Sequence, residues 1–178
     1  MTAPSPQLAT LTGSWALDPG RSSVRLTSKA LGLIPVKGQF GEVSGTGTIG
    51  PDGAVRGTLT VATASIDTGN ARRDTHLRSA DLFDSDQYPD ITFTVDGARL
   101  TGQSSESQSA VLTGALTVRG VTRPLSFDTE VSVRGDGEIV LDGAVRINRA
   151  DFGLTWNVLG TASMLTTITV HALFTAAR

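Results

Sequence analysis

The sequence predicts a mainly β fold, with eight antiparallel strands closed into one barrel and one short helix in the long connection between the third and fourth strands. Three observations carry this reading. Apolar and polar residues alternate with period two through eight segments, the pattern of a strand with one buried face. Most connections between them are short and rich in Gly, Pro and Asp, which favours antiparallel neighbours. The 178 residues include 20 Gly against two Trp, one Tyr and six Phe, a composition suited to turns and small inward side chains. Eight one-faced strands resolve their unpaired edges best by closure.

Trp15, Leu17 and the turn Asp18-Pro19-Gly20 open the fold. Val24 and Leu26 alternate with Arg25 and Thr27 in the first strand. Residues 31–36 form an apolar patch interrupted by Gly32 and Pro35, which reads as a bend. Val36, Gly38 and Phe40 share one face. Val43, Gly45, Gly47 and Ile49 continue it after a one-residue phase shift, which predicts a β-bulge near Gly41. Pro51-Asp52-Gly53 turns the chain into the third strand, which carries Val55, Leu59 and Val61.

The period then changes. Asn70 is the predicted N-cap of a helix over 70–79, with Asp74 near its start and Arg78 near its end. Leu82, Phe83 and Tyr88 add large apolar surface, and Pro89 forces Tyr88 into an extended conformation. A connection this long, with its own helix and apolar side chains, is expected to cover something.

Ile91, Phe93 and Val95 begin the fourth strand, and residues 102–109 form a polar hairpin loop. Leu112, Gly114, Leu116 and Val118 share a face before the tight reversal at Arg119-Gly120. Leu125, Phe127, Val131 and Val133 form the next strand, and Gly135-Asp136-Gly137 turns the chain. Ile139, Leu141, Gly143, Val145 and Ile147 follow in phase. A second long connection, 149–163, carries Phe152, Trp156 and Leu159. The last strand places Met164, Ile168, Val170 and Phe174 on one face.

No repeat or second domain interrupts this pattern, so residues 14–176 are read as one domain behind a flexible tail, 1–13, rich in Pro, Thr and Ser. The formal charge of −2 and the scattered cations exclude broad attraction to nucleic acid or to an anionic membrane. The absence of Cys removes disulfides, thiolate catalysis and Cys-bound zinc. The N-terminal residues lack a basic stretch followed by an apolar run, and no segment approaches ~18 consecutive apolar residues. The expected protein is cytoplasmic, with no stable insertion into a membrane. Homodimerisation through a strand edge or barrel end is open to it.

The interior decides function, because a barrel of eight strands is either filled by its own side chains or holds one small ligand. Gly38, Gly45, Gly47, Gly57, Gly114 and Gly143 lie on inward faces and add no volume. One reading is an elongated apolar void, costly unless a ligand restores the lost dispersion contacts. The other is that the glycines mark bulges and corners while Phe40, Phe93, Phe127 and Phe174 fill the space. The void is the favoured reading.

Polar candidates cluster in the two long connections. Arg73, Asp74, His76 and Arg78 lie on the short helix, where Asp74 and Arg78, four apart, are expected to pair. His76 is either a general base with Asp74 at the barrel mouth or part of a polar clasp fixing the lid; the clasp is preferred, since no nucleophile motif accompanies it. Arg149 is either a contact for an anionic headgroup or tied to Asp151, with Gly153 at positive φ; the tie is preferred. Phe83, Tyr88, Phe152 and Trp156 are ligand wall or lid packing in equal measure. Two histidines without ligand spacing make a weak case for a metal, and no metal or other cofactor is expected.

Four blocks also resemble one family. They are Trp15-Ala16-Leu17-Asp18-Pro19 with Ser22-Ser23-Val24; the run RRDTHLRSADLFD from Arg72 with Tyr88-Pro89; GALTVRGVTRP from Gly114 to Pro124; and INRADFGLTWN from Ile147 to Asn157. Together they are similar to the YceI-like family across the whole domain. The resemblance implies a lipocalin-like barrel that binds or carries a long apolar lipid, a polyisoprenoid or an isoprenoid quinone, and performs no reaction. Many members have His where this chain has Arg21 and Ala30, which puts any role of those histidines in doubt here.

The expected ligand wall is Val24, Leu26, Phe40, Leu59, Phe83, Tyr88, Phe93, Leu116, Phe127, Phe152, Trp156 and Ile168, with Arg73, Asp74, His76, Arg78, Arg149 and Asp151 at the mouth or lid. Residues 31–35 near the rim are expected to touch a membrane transiently. Two alternatives stay open: an enzyme acting on a small apolar substrate through His76 and Asp74, and a filled barrel serving only as an interaction module.

Overall fold

One sheet of eleven strands closes on itself in the computed structural model, which describes residues 11–104, 106–135 and 137–178. The strands are β1 (Gly13–Leu17), β2 (Ser23–Ala30), β3 (Ile34–Phe40), β4 (Val43–Ile49), β5 (Val55–Ala62), β6 (Ile66–Asp67), β7 (Asp90–Gln103), β8 (Gln108–Val118), β9 (Val121–Arg134), β10 (Glu138–Asn148) and β11 (Leu165–Ala176). Helix α1 (Ala71–Arg78) follows β6. All pairings are antiparallel, and β1 closes the ring by pairing with both β4 and β11.

The eleven segments make the eight predicted staves, because the first three are each broken in two. β2 continues β1 along β11, β3 continues into β4, and β6 continues β5 along β3. Each break has a local cause. Asp18 accepts a hydrogen bond from the Gly20 amide (2.9 Å) and seeds a 3-10 turn over Pro19–Arg21. The Gly41 amide leaves the ladder to bond the Ser65 carbonyl (3.0 Å), which produces the predicted phase shift. Thr63–Ser65 forms another 3-10 turn.

The inward rows stay in register around the ring. Val24 faces Phe40 and Val170, Leu59 faces Phe93, and Phe93 faces Leu116. β7 is bulged between Val95 and Gly97 and again between Leu100 and Gly102. Gly114 sits beside the first bulge. A Cβ there would lie 1.9 Å from the Thr94 carbonyl oxygen, so the strands approach closely only because the residue is glycine.

Two sequence expectations change. Residues 31–36 do not form a bend: a turn at 31–33 is followed at once by β3. Pro35 is tolerated because β3 has no second neighbour there, β6 reaching only Gln39 and Phe40. The other concerns the last residues of the expected tail, 1–13. Residues 1–10 lie outside the described residues, but Leu11 is already buried with Trp15 and Ile49 and accepts the Trp15 indole N–H (3.0 Å).

The barrel therefore has two unlike ends. At one end, the hairpins turn through short loops and Leu11, Trp15, Ile49, Ala110, Val131 and Ile139 pack together. At the other, α1 and the two long connections lie across the opening.

Candidate functional site

Two cavities lie end to end inside the barrel. The one beneath α1 has a volume of about 330 Å³, and the one toward the short turns about 380 Å³. Leu59, Phe93, Phe127 and Val170 belong to both walls. The Phe93 and Phe127 rings meet there with centroids 5.3 Å apart, tilted by 53°. The interior is thus two chambers joined at an aromatic waist, which corrects the expected single elongated void. Both earlier ideas hold in different places: side chains fill the waist, and the space above and below it is open.

The glycines also have a different role from the one expected. Built Cβ atoms at Gly45 and Gly57 would come within 2.9 Å and 2.8 Å of the carbonyl oxygens of Thr58 and Thr46. At Gly143 a Cβ would press on Phe127 and Thr129 at 3.0 Å, and at Gly38 on Thr68 at 3.0 Å. These residues permit close strand packing. Of those that line a chamber, Gly47 leaves ordinary room, its nearest neighbour being the Arg56 carbonyl oxygen at 3.6 Å.

Of the residues expected to hold a ligand, Val24, Leu26, Phe40, Leu59, Phe83, Phe93, Leu116, Phe127, Phe152, Trp156 and Ile168 line the helix-capped chamber. Tyr88 is not part of it. Its ring lies against Gly120, at the β8–β9 turn where Arg119 (φ 48°) and Gly120 (φ 72°) both have positive φ and the missing side chain leaves room. The Arg119 guanidinium donates to the Leu82 carbonyl (2.9 Å), so this turn anchors the lid. Leu77, Leu82, Ile91, Val145 and Leu154 also line the chamber. The even phase of β10 carried the signal for Val145, whereas Leu77 and Leu154 lie outside strands and left none.

The lid is built from local hydrogen bonds. The Asn70 side chain caps α1 by accepting from the Arg73 amide (3.0 Å). Asp74 is buried and accepts from the Thr68 amide (3.0 Å) and from the Thr68 hydroxyl. It does not pair with Arg78, which instead donates to the Ala64 carbonyl (3.3 Å) outside the chamber. His76 is not partnered by Asp74 either. Its Nε2 lies 3.0 Å from Asp81 Oδ2, and its ring meets the Trp156 ring edge-on at 4.2 Å. The proposed His76–Asp74 catalytic pair is not formed, because Asp74 faces the β6–α1 junction.

Arg149 and Asp151 are not tied to each other. Arg149 donates from Nε to the Ser163 carbonyl (3.0 Å) and from Nη1 to the Leu154 carbonyl (2.6 Å). Asp151 is exposed, and only its backbone carbonyl is used, accepting from Arg123. Gly153 does take positive φ, at 77°. The remaining Arg149 nitrogen, Nη2, is buried with no hydrogen-bond partner among the described residues, and Arg149 lines the chamber. Burial pushes the pKa of this guanidinium below its ordinary value.

Lys29, Arg73, His76 and Arg149 all border the same chamber, and no carboxylate does among the described residues. The site is an apolar chamber with donors at its mouth. Of the two positions where family members often carry His, Arg21 is far from the mouth and pairs with Asp18 and Glu138 at 2.7 Å each. Ala30 lines the chamber and bridges to Ala162. No described helix is long and apolar enough to cross a membrane.

Comparison with known proteins agrees with this architecture. A Staphylococcus aureus UPF0312 protein is 32% identical over 154 residues, covering 81% of this chain and 84% of its own. Burkholderia cenocepacia BcnA superposes with a TM-score of 0.78 at 23% identity, covering 89% of this chain and 99% of its own. A polyisoprenoid binding domain from Saccharophagus degradans superposes with a TM-score of 0.74 at 19% identity, covering 92% and 98%. The family model for the YceI-like domain matches residues 15–176. Four sequence blocks, a closed eight-stave barrel and that match converge on one assignment: this chain belongs to the YceI-like domain family.

Proposed function

We propose that the barrel binds and carries an apolar chain-like lipid, a polyisoprenoid or isoprenoid quinone, with its tail in the helix-capped chamber and its polar head at the mouth. The observation that carries this reading is the pairing of an apolar chamber with a lining residue, Arg149, whose Nη2 is buried and has no hydrogen-bond partner among the described residues. An unsatisfied buried donor is costly. A ligand carbonyl or phosphate oxygen would relieve it through a charge-assisted hydrogen bond. The tail would contribute roughly 25 cal/mol per Å² of apolar surface buried, before association costs. The structural relative described as a polyisoprenoid binding domain supports the choice of tail.

Each chamber lies near the small end of the ~300–1,000 Å³ typical of ligand pockets. A chain filling both has to part the Phe93–Phe127 contact, so the waist sorts ligands by length. A binding role also fits the lid better than catalysis, since His76 is held by Asp81 and Trp156.

Native mass spectrometry of the purified chain, before and after organic extraction, tests the proposal. The expected result is a mass increment that extraction removes and that is identified as an isoprenoid lipid. An unaltered mass, no extractable lipid and no uptake of added quinone would count against it. Arg149→Met is expected to weaken a quinone or phosphorylated isoprenoid by about tenfold or more, the size of one charged hydrogen bond. It should leave a hydrocarbon tail of the same length nearly unaffected.

A further inference from the structure

The strongest surface feature lies on the rim of the helix-capped chamber. At the β2–β3 turn, Leu31 is 64% exposed, Leu33 85% and Ile34 55%. Val158 (51%), from the β10–β11 connection, and Leu165 (48%), the first residue of β11, join them. The two segments are held together: Leu31 N–H donates to the Thr161 carbonyl (2.7 Å), and Ser163 N–H to the Lys29 carbonyl (2.9 Å). Among the described residues, the other exposed large apolar side chains, Leu100 and Val133, are the least exposed of the set and lie in the opposite half.

Turn chemistry does not account for this patch. Leu31 (φ 51°) and Gly32 (φ 74°) both have positive φ, and Leu33 N–H returns to the Ala30 carbonyl at 3.3 Å. Such a turn favours Asn or Asp at its first central position. A leucine there is strained and exposed at once, a combination that folding by itself does not reward.

The charge around the patch is one-sided. Between Asp18 and Glu42 the chain carries Arg21, Arg25, Lys29 and Lys37 and no carboxylate. Arg25, Lys29 and Lys37 are all exposed on the β2–β3 hairpin, and the chain's two lysines are both there. Beyond Asp151 no carboxylate follows, and β11 lies directly against β2. Residues 67–90, which begin beside β3 on β6, mix both signs, with Asp67, Asp81, Asp86 and Asp90 at the surface alongside Arg72, Arg73 and Arg78.

We infer that the β2–β3 hairpin tip, with Val158 and Leu165, docks this barrel on an anionic lipid surface. The leucines enter the interfacial layer, and Arg25, Lys29 and Lys37 face the headgroups. This sets the mouth of the helix-capped chamber against the bilayer. The inference extends the carrier reading by giving the ligand a route between membrane and barrel, but it rests on the surface and not on the cavity's contents.

Flotation of the full chain with vesicles tests it, comparing phosphatidylcholine alone with phosphatidylcholine containing phosphatidylglycerol. Binding is expected only with the anionic lipid and should weaken steeply with salt. Leu31→Asn is expected to raise the unfolding midpoint, because it suits the turn, and yet to lower vesicle binding. Adding Leu33→Ser and Ile34→Ser should reduce binding about tenfold or more. Lys29→Gln with Lys37→Gln should remove the preference for anionic lipid.

Wild-type protein that stays with the soluble fraction at low salt overturns the inference, as does a triple variant that floats like wild type. So does a sedimentation result in which the triple variant only converts a dimer into a monomer, since the patch would then be a self-contact. Uptake of farnesol in solution, followed by native mass spectrometry, separates the two proposals. A variant that loses vesicle binding but still takes up farnesol supports docking. Wild type that floats but takes up no isoprenoid supports docking and removes the carrier reading.

Discussion

The two halves of this barrel are built from the same staves and differ in what lies at their ends. In the helix-capped half, the inward rows carry Val24, Leu26, Phe40, Leu116 and Ile168, and four cationic or imidazole side chains border the opening. In the turn-closed half, the rows carry Gly47, Gly57, Gly143 and Thr129, and Leu11 and Trp15 pack into the end. Strand alternation specifies a tube with an apolar lining in both. A mouth arises only where the connections are long enough to carry their own side chains across the opening. The comparison teaches that the chamber is a property of the strands and the site is a property of the loops.

Phe93→Ala tests the partition most severely. It removes one side of the waist and is expected to cost about 3–5 kcal/mol in urea unfolding. The two cavities merge, so the longest isoprenoid retained by the purified protein should lengthen. An unchanged length range would mean that the waist does not divide the interior. Next in size, Gly114→Ala drives a Cβ into the Thr94 carbonyl oxygen and is expected to cost about 3 kcal/mol by forcing the strands apart at the bulge. Equilibrium unfolding with an unchanged midpoint would refute the account of that glycine.

Gly47→Ala is the contrasting substitution, since its Cβ meets only ordinary contact at 3.6 Å. It should be neutral or stabilising by about 0.5 kcal/mol, through the unfolded chain. It would slightly reduce the turn-end chamber and leave the helix-capped one untouched. The smallest effect concerns the outer wall. The Arg21 side chain, through its hydrogen bond and charge, holds the Asp18 carboxyl below the usual carboxylate range. A depressed folded pKa contributes stability above the unfolded value of about 3.9, and the contribution is lost as pH falls through the folded value. Arg21→Ala should therefore flatten the acid limb of stability against pH slightly, the group being exposed. A melting series between neutral pH and the acid transition reads this out.

The legible parts of the fold were those that repeat. Val24, Phe40, Leu59, Phe93 and Ile168 could be placed on the wall because strand phase puts every second residue inward. The Gly41 phase shift and the Asn70 cap were readable because each has a local physical cause. Tyr88 was misplaced, since only the folded chain shows that Gly120, far along the sequence, makes a seat for its ring. The Asp74–Arg78 pair was a sound helical expectation overridden by Thr68, which reaches Asp74 from outside the helix.

By itself the sequence determined a closed antiparallel barrel, its stave number, the inward phase of its strands and its covering helix, because periodicity, turn residues and caps act over a few residues at a time. Tertiary structure alone decided that the lumen is split by the Phe93–Phe127 contact, that Arg149 keeps one nitrogen unpaired, and that the exposed leucines share a rim with the basic hairpin. Each of those facts is a meeting of residues distant in the chain. Their separation, and whether a partner takes up the last hydrogen bond, is set by how the sheet closes and not by any local preference.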